Sequence, residues 1–145
     1  MLITCICTGN TCRSPMAAAI LTELCRRRGR EDITVTSAGL AADGSPAAEN
    51  AVAVMREWGA DIADHVSRPL TAELFYETDC FLVMSPAHRQ VLLTAGADES
   101  RVFLLGGGIP DPFGGPIEVY RATRDRLEEA LTAWLDEQEE SHGEI

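Results

Sequence analysis

The feature that most restricts how this chain can fold is the spacing between Cys7 and Arg13 near its N-terminus. Cys7 ends an apolar run that begins at Met1, five residues separate it from Arg13, and a helical pattern follows from Ser14. A loop between a strand and a helix can curl until its N–H groups converge, and the helix N-terminus adds the positive end of its dipole. The spacing therefore predicts a phosphate-binding loop after Cys7 that consists of Thr8, Gly9, Asn10, Thr11, Cys12, Arg13 and Ser14.

Cys7 is the candidate nucleophile of this loop. A thiol attacks as its thiolate, and the loop N–H groups, the Arg13 guanidinium and the Ser14 hydroxyl all favour that form. The planar fork of Arg13 can hold two oxygens of a phosphate at once. We therefore interpret Cys7 and Arg13 as catalytic residues that pass a phosphoryl group through a cysteinyl-phosphate intermediate. The alternative, a structural cysteine beside a helix-capping serine, is disfavoured by the strand–loop–helix junction and the glycine within it.

Short apolar runs alternate with helical patterns along the chain, which predicts one α/β domain over residues 1–145 with a parallel sheet. The predicted strands cover residues 1–7, 33–38, 80–84 and 102–105. The predicted helices cover residues 14–28, 45–58, 71–77 and 85–96, and a final helix opens at Pro116. In that last helix we expect a buried face made of Ile117, Tyr120, Leu127, Leu131 and Trp134. The acidic chain from about Asp136 is expected to fray.

Charge and cysteine usage limit the possible partners. The formal net charge of −11 argues against nucleic acid as a ligand. No apolar stretch approaches the roughly 20 residues of a membrane span, and the N-terminus does not have the pattern of a signal peptide. Five cysteines without a CxxC pair fit reduced thiols in the cytoplasm. The three histidines are scattered along the chain, so we predict no metal site and no other cofactor. We also expect the protein to be a monomer.

Three segments together carry a resemblance to a known family. The run from Ile6 to Pro15, the tripeptide Ser-Ala-Gly at 37–39 and the Asp-Pro pair at 111–112 are similar to the low-molecular-weight protein tyrosine phosphatases. The resemblance spans nearly the whole chain. It implies a four-stranded parallel sheet with helices on both faces, and it implies a phosphorylated protein as the substrate.

The resemblance also implies roles for residues outside the loop. Asp111 corresponds to the general acid, which protonates the leaving group and then deprotonates the attacking water. Phe113 falls where the family places an aromatic wall of the pocket, whereas Gly114 stands where many eukaryotic members carry a second aromatic side chain. That departure weakens the expectation of a deep phosphotyrosine slot. The residues implied to hold the loop in shape are Asn10, Ser14, Ser37 and His65.

Thr11 is the position that bears on substrate choice. Most tyrosine-specific members carry an aliphatic residue there, and the run from Cys7 to Ala17 with Asp-Pro-Phe-Gly-Gly at 111–115 resembles the bacterial protein-arginine-phosphatase branch. A hydroxyl at the rim can form a hydrogen bond to a planar guanidine, which an aliphatic chain cannot. This resemblance implies phosphoarginine as the substrate, with phosphotyrosine as the alternative.

Two other activities and one regulatory role are compatible with the same loop. Arsenate reductases share it, but they need a further cysteine pair, and here only Cys80 lies in the appropriate region. A non-catalytic anion-binding module would need neither the thiol of Cys7 nor the carboxylate of Asp111. Cys12 lies five residues from Cys7 across a curled loop, so a reversible disulfide between them could protect the nucleophile from over-oxidation. Cys12 as a small apolar filler is the alternative.

Overall fold

A parallel sheet forms the centre of the molecule. The computed structural model describes residues 1–143, and within them the sheet has four strands, β1 (Leu2–Cys7), β2 (Thr34–Gly39), β3 (Cys80–Val83) and β4 (Val102–Leu104). Their order is β2-β1-β3-β4, and every neighbouring pair is parallel. The predicted four-stranded parallel sheet is therefore confirmed.

Helices cover both faces of this sheet. They are α1 (Arg13–Arg27), α2 (Glu49–Trp58), α3 (Ala72–Glu77), α4 (Pro86–Thr94) and α5 (Ile117–Gly143). Side chains alternate along β1, so Ile3 and Cys5 pack with α1, α2 and α5, while Ile6 packs with α3 and α4. Because both faces are covered, β1 and β3 are almost entirely buried, as is usual for a parallel sheet.

The carboxyl end of β1 lies where the strand order reverses. The chain passes from β1 to β2 through α1 on one face, and from β3 to β4 through α4 on the other face. In open parallel sheets, ligands bind in the crevice at such a reversal, beyond the carboxyl ends of the strands. Cys7 is the last residue of β1 and therefore stands at this crevice.

The start of α2 differs from the prediction. The Ser45-Pro46 pair was expected to begin this helix, but the helix starts at Glu49. Pro46 instead forms an isolated antiparallel bridge with Val66, and the Ser45 carbonyl accepts a hydrogen bond of 2.8 Å from the Ser67 N–H. This long-range pairing holds the dipeptide extended and delays the helix.

The end of α5 also differs, because the helix continues to Gly143 instead of fraying from Asp136. Arg28 forms ion pairs with Asp136 at 2.8 Å and with Glu139 at 2.9 Å, and Arg30 lies 3.3 Å from Glu139. These arginines follow α1 and hold the last turns of α5 against it. The expected buried face of α5 is present, with Tyr120, Leu127, Leu131 and Trp134 in the core and Ile117 packed against it. None of the helices within residues 1–143 is long and apolar enough to cross a membrane.

Candidate active site

The loop after β1 encloses a small cavity. Its volume is about 210 Å³, and it is lined by Cys7, Thr8, Gly9, Thr11, Cys12, Arg13, Asp111 and Phe113. The structure thus brings Asp111 and Phe113, which are distant in sequence, to the mouth of the predicted phosphate loop. Asn10 and Ser14 belong to the loop, and Ser37 and His65 lie on other segments, but none of the four lines the cavity.

Asn10 fixes the curl of the loop. Its φ of 57° is left-handed, a conformation that asparagine tolerates better than most residues, and its side chain is fully buried. The amide nitrogen donates to Ser14 Oγ at 2.7 Å and to Ser37 Oγ at 3.0 Å. Asn10 Oδ1 accepts a hydrogen bond from the Arg68 backbone N–H at 3.0 Å. The backbone carbonyl of Asn10 accepts one from His65 Nε2 at 2.7 Å. The structure therefore brings all four predicted supporting residues together.

The Cys7 sulfur receives hydrogen bonds from this framework. Cys7 is 3% exposed, and its Sγ lies 2.9 Å from Ser14 Oγ and 3.3 Å from the Asn10 backbone nitrogen. Ser14 Oγ already accepts from the Asn10 amide, so its hydroxyl hydrogen is free to donate to the sulfur. Two donors on one sulfur suit a negatively charged nucleophile.

Arg13 connects the loop to the segment that carries Asp111. It is 6% exposed, its Nη1 donates to the Ile109 carbonyl at 3.0 Å, and its Nη2 lies 3.6 Å from Asp111 Oδ2. A guanidinium has five N–H donors, and the Ile109 carbonyl occupies only one of them. The other donors remain available for an anion in the cavity. The Asp111 side chain is 52% exposed, and its Oδ1 accepts from the Phe113 N–H at 3.1 Å. It can therefore meet a group that leaves toward solvent.

The Asp111 segment is anchored at its base. The Ile109 N–H donates to the Met84 carbonyl at 2.7 Å, which joins the segment to the end of β3. From α5, Arg126 Nη2 donates to the carbonyls of Gly106 at 2.7 Å and Gly108 at 2.9 Å. The roles of Arg126 and Arg68 could not be identified from the sequence, since a surface arginine carries no local signal of the distant carbonyl or amide that it contacts.

Cys12 is held away from solvent next to the nucleophile. Its Sγ lies 3.5 Å from the Tyr120 hydroxyl and 3.7 Å from Thr11 Oγ1. Burial raises the pKa of the Cys12 thiol, and the hydrogen bonds to Tyr120 and Thr11 oppose that rise only in part. All five cysteines are free and buried, and the disulfide between Cys7 and Cys12 stays a prediction.

Gly39 is a site residue whose role the sequence did not reveal. It pairs in register with Cys7, and the next two residues donate to the carbonyls of Cys7 and Thr8 at 3.0 and 2.9 Å. A Cβ at position 39 would lie 2.7 Å from the Thr8 carbonyl oxygen and 2.9 Å from Asn10 Cβ. Only glycine lets the loop approach β2 so closely.

We expect Gly39→Ala to displace the phosphate loop. The clash is with backbone, so it should lower the free energy of unfolding by about 1–3 kcal/mol, as overpacking does, and lower kcat/KM by about tenfold. Urea denaturation and para-nitrophenyl phosphate hydrolysis measure the two effects. Gly29→Ala is the control, because Gly29 has a φ of 68° but no atom within 4 Å of the added Cβ. Gly29→Ala should lower the free energy of unfolding while keeping kcat/KM. Equal kcat/KM in Gly39→Ala and Gly29→Ala would contradict the role of Gly39.

Within the described 143 residues, no group of three or more His, Cys, Asp or Glu side chains could hold a metal ion. Besides the Cys12 thiol, the functional groups that line the cavity include the Cys7 thiol, a guanidinium, a carboxylate and two hydroxyls. These are the groups that phosphoryl transfer to a thiolate requires.

Comparison with known proteins agrees with this chemistry. A model of the low molecular weight phosphotyrosine protein phosphatase family matches residues 2–142. A protein-arginine-phosphatase of Bacillus subtilis (strain 168) is 41% identical over 135 residues, which are 87% of this chain and 89% of that protein. One of Geobacillus stearothermophilus is 42% identical over 132 residues, which are 85% and 86% of the two chains.

A solved structure is also similar along its length. It is that of YwlE arginine phosphatase in a C7S form with a phosphorylated active-site serine. It superposes with a TM-score of 0.87 at 38% identity and covers 97% of this chain and 96% of that chain. The chain belongs to the low molecular weight phosphotyrosine protein phosphatase family, and it is a cysteine-dependent phosphatase.

Proposed function

We propose that this phosphatase hydrolyses phosphoarginine in proteins, and that Thr11 selects this substrate. The observation that carries the proposal is the position of Thr11 in the cavity lining, on the loop that also supplies Cys7 and Arg13. The arginine phosphatases among the similar proteins support it.

The first chemical step transfers the phosphoryl group to Cys7. The thiolate attacks phosphorus in line, so the P–S bond forms as the P–N bond to the substrate guanidine breaks. Arg13 and the loop N–H groups hold the three equatorial oxygens, where the negative charge of the transition state lies. Asp111 donates its proton to the departing nitrogen, which its half-exposed position at the cavity mouth permits.

The second step regenerates the enzyme. Asp111, now a carboxylate, takes a proton from a water molecule as that water attacks the cysteinyl phosphate. The P–S bond breaks, inorganic phosphate leaves and the Cys7 thiolate returns. Both steps use the same phosphate cradle, so the framework behind Asn10 must keep the loop rigid throughout.

Thr11 supplies an acceptor where a guanidine has donors. The N–H groups of phosphoarginine can donate to the Thr11 hydroxyl, whereas the phenolic oxygen of phosphotyrosine offers no donor. A branched aliphatic side chain at position 11 would fill the space and remove the acceptor. The net charge of −11 also favours a cationic product.

Phosphotyrosine is the second candidate, and the match to the phosphotyrosine phosphatase family is the observation that favours it. Phe113 is 75% exposed at the cavity mouth, where a phenyl ring could pack against it. The next residue is Gly114, so the cavity has one aromatic wall at this position. A planar guanidine can also stack on Phe113, and Phe113 therefore does not separate the two substrates.

Thr11→Ile is expected to change substrate preference. We expect the ratio of kcat/KM for phosphoarginine over phosphotyrosine peptides to fall by about tenfold or more, since the variant loses an acceptor for the guanidine. Thr11→Ser keeps the hydroxyl and should keep the ratio, while Thr11→Val keeps the shape and should lower it. An unchanged ratio in Thr11→Ile and Thr11→Val would show that Thr11 is not the selector.

Simple assays separate the remaining alternatives. A protein that does not hydrolyse para-nitrophenyl phosphate under reducing conditions would be an anion-binding module instead. Arsenate turnover with a thiol reductant would indicate an arsenate reductase. Cys80 argues against that activity, because it is 5% exposed within β3 and no cysteine follows it in the sequence.

The physiological setting follows from the same chemistry. Cys7 must stay reduced to act, so we place the protein in the cytoplasm. We also propose that it is a monomer, that it acts on phosphorylated proteins and that it needs no cofactor. Cys12 lines the same cavity as Cys7, which supports the predicted reversible disulfide between them.

A further inference from the structure

A buried histidine reaches the phosphate loop from the other side of the sheet. His88 lies in the first turn of α4, where its N–H donates to the capping hydroxyl of Ser85 at 3.2 Å. Its ring Nε2 lies 2.9 Å from Thr8 Oγ1. His88 is 5% exposed, whereas Thr8 is exposed and lines the cavity. None of the steps above uses either side chain.

The surroundings of the ring decide which nitrogen carries the proton. Nδ1 of His88 is buried and has no hydrogen-bond partner. A proton on Nδ1 would leave a buried N–H unsatisfied, which is rarer in proteins than an unsatisfied acceptor. A proton on Nε2 uses the donor in the contact with Thr8 and leaves only a lone pair unpaired. The neutral Nε2–H form is therefore favoured.

The charged groups near the ring also favour the neutral form. Burial lowers the pKa of His88, and the positive charge of Arg13, on α1, lowers it further. The Asp111 carboxylate, on the segment before α5, opposes that shift. A second ring proton would also be a buried donor without a partner. His88 therefore stays neutral at pH 7.

The direction of this hydrogen bond determines what Thr8 can do. When Nε2–H donates to Thr8 Oγ1, the hydroxyl hydrogen of Thr8 cannot point back at the ring and is free for another acceptor. Thr8 lines the cavity together with Cys7 and Arg13, so the nearest use for that hydrogen is an oxygen of a bound phosphoryl group.

We propose that His88 is a positioning residue that holds the Thr8 hydroxyl as a hydrogen-bond donor toward the phosphoryl group. This inference rests on the proposed function, because it needs a phosphoryl group in the cavity. Thr8 adds a side-chain donor to the backbone donors of the loop. A hydrogen-bond donor held in place stabilises the transition state more than a freely rotating one, because it does not have to reorient during the reaction.

The test is a double-mutant cycle with a rescue variant. Thr8→Val removes the hydroxyl at nearly constant shape, and His88→Leu removes the ring donor. Each should lower kcat/KM by about tenfold for both para-nitrophenyl phosphate and a phosphoarginine peptide, as expected for one hydrogen bond to a charged group. The double variant should match the single variants, because both act through one hydroxyl. His88→Gln, whose amide nitrogen can occupy the Nε2 position, should restore most of the loss.

Nitrogen NMR of the His88 ring reports which ring nitrogen carries the proton. The proposed positioning role requires one particular form, whereas a purely structural role does not. His88 should carry its proton on Nε2, and its pKa should lie below that of a free imidazole. A proton on Nδ1, a charged ring, additive losses in the double variant or unchanged kcat/KM in folded single variants would each overturn the inference. An inactive wild-type protein would instead overturn the proposed function, and this inference would fall with it.

Discussion

Replacing Cys7 with serine is expected to lower kcat/KM by at least about a thousandfold while the fold is retained. A serine hydroxyl is a far weaker nucleophile than a thiolate at neutral pH, and removal of a nucleophile usually abolishes covalent catalysis. The buried position tolerates the change because serine is nearly isosteric and can keep the contacts with Ser14 and the Asn10 N–H. Phosphoarginine peptide hydrolysis and thermal unfolding check the two halves of this prediction.

The Cys7→Ser variant should also reveal the covalent intermediate. In the similar YwlE structure, which is a C7S mutant, the active-site serine is phosphorylated. We expect the introduced serine here to accept a phosphoryl group slowly and to release it more slowly still, which intact-mass spectrometry would detect. Cys25→Ala, at a buried cysteine near the far end of α1, is the control and should keep its activity. Near-normal activity in Cys7→Ser would exclude the cysteinyl-phosphate mechanism.

Replacing Asp111 with asparagine should have the next largest effect, and its size should depend on the leaving group. Asparagine keeps an oxygen for the Phe113 N–H but cannot donate a proton as an acid. For a phosphoarginine peptide or phenyl phosphate, we expect kcat/KM, which reports the transfer to Cys7 and not the later hydrolysis, to fall by about a hundredfold. For para-nitrophenyl phosphate, whose leaving group needs little protonation, the loss should stay below about tenfold.

Asp98→Asn provides a matched control for this prediction. Asp98 Oδ1 accepts from the backbone N–H two residues later at 2.9 Å, as Asp111 Oδ1 does from Phe113, but Asp98 lies outside the cavity lining. That variant should keep its activity on every substrate. An equal loss with all leaving groups in Asp111→Asn would mean that Asp111 positions the substrate or Arg13 and does not protonate the leaving group.

The position of the loop in the fold could be predicted because the loop and its flanking elements lie in one continuous segment. The strand, the turn residues, the nucleophile and the arginine follow one another from residue 1 to residue 14, so local rules apply to all of them. The same local rules placed the sheet and most helices within two residues of their observed bounds. Asp111 required the family resemblance, because a carboxylate before a proline is by itself an ordinary turn.

Two Ser-Pro pairs show where local rules stop. Ser85-Pro86 begins α4 as predicted, with the Ser85 hydroxyl accepting from a first-turn N–H. Ser45-Pro46 carries the same signal but remains extended, because the segment pairs with residues 66 and 67. A partner about twenty residues away outweighed the local preference, and a single sequence does not reveal that partner.

The support of the site was hidden for the same reason. Gly39, Arg68 and Arg126 act through contacts with segments far away in the sequence. His88 reaches Thr8 across 80 residues, from a helix on the opposite face of the sheet. Each is an ordinary residue in its own neighbourhood, so its role emerges only after the fold brings the segments together.

Whether this phosphatase acts on phosphoarginine can be tested by comparing two substrates on the wild-type protein. Peptides of one sequence, carrying phosphoarginine or phosphotyrosine at the same position, should be assayed under reducing conditions for kcat/KM. We predict that phosphoarginine is preferred by at least about tenfold, as one well-placed hydrogen bond to a charged leaving group allows. A preference for phosphotyrosine would contradict the claim and assign the chain to the tyrosine-specific members of its family.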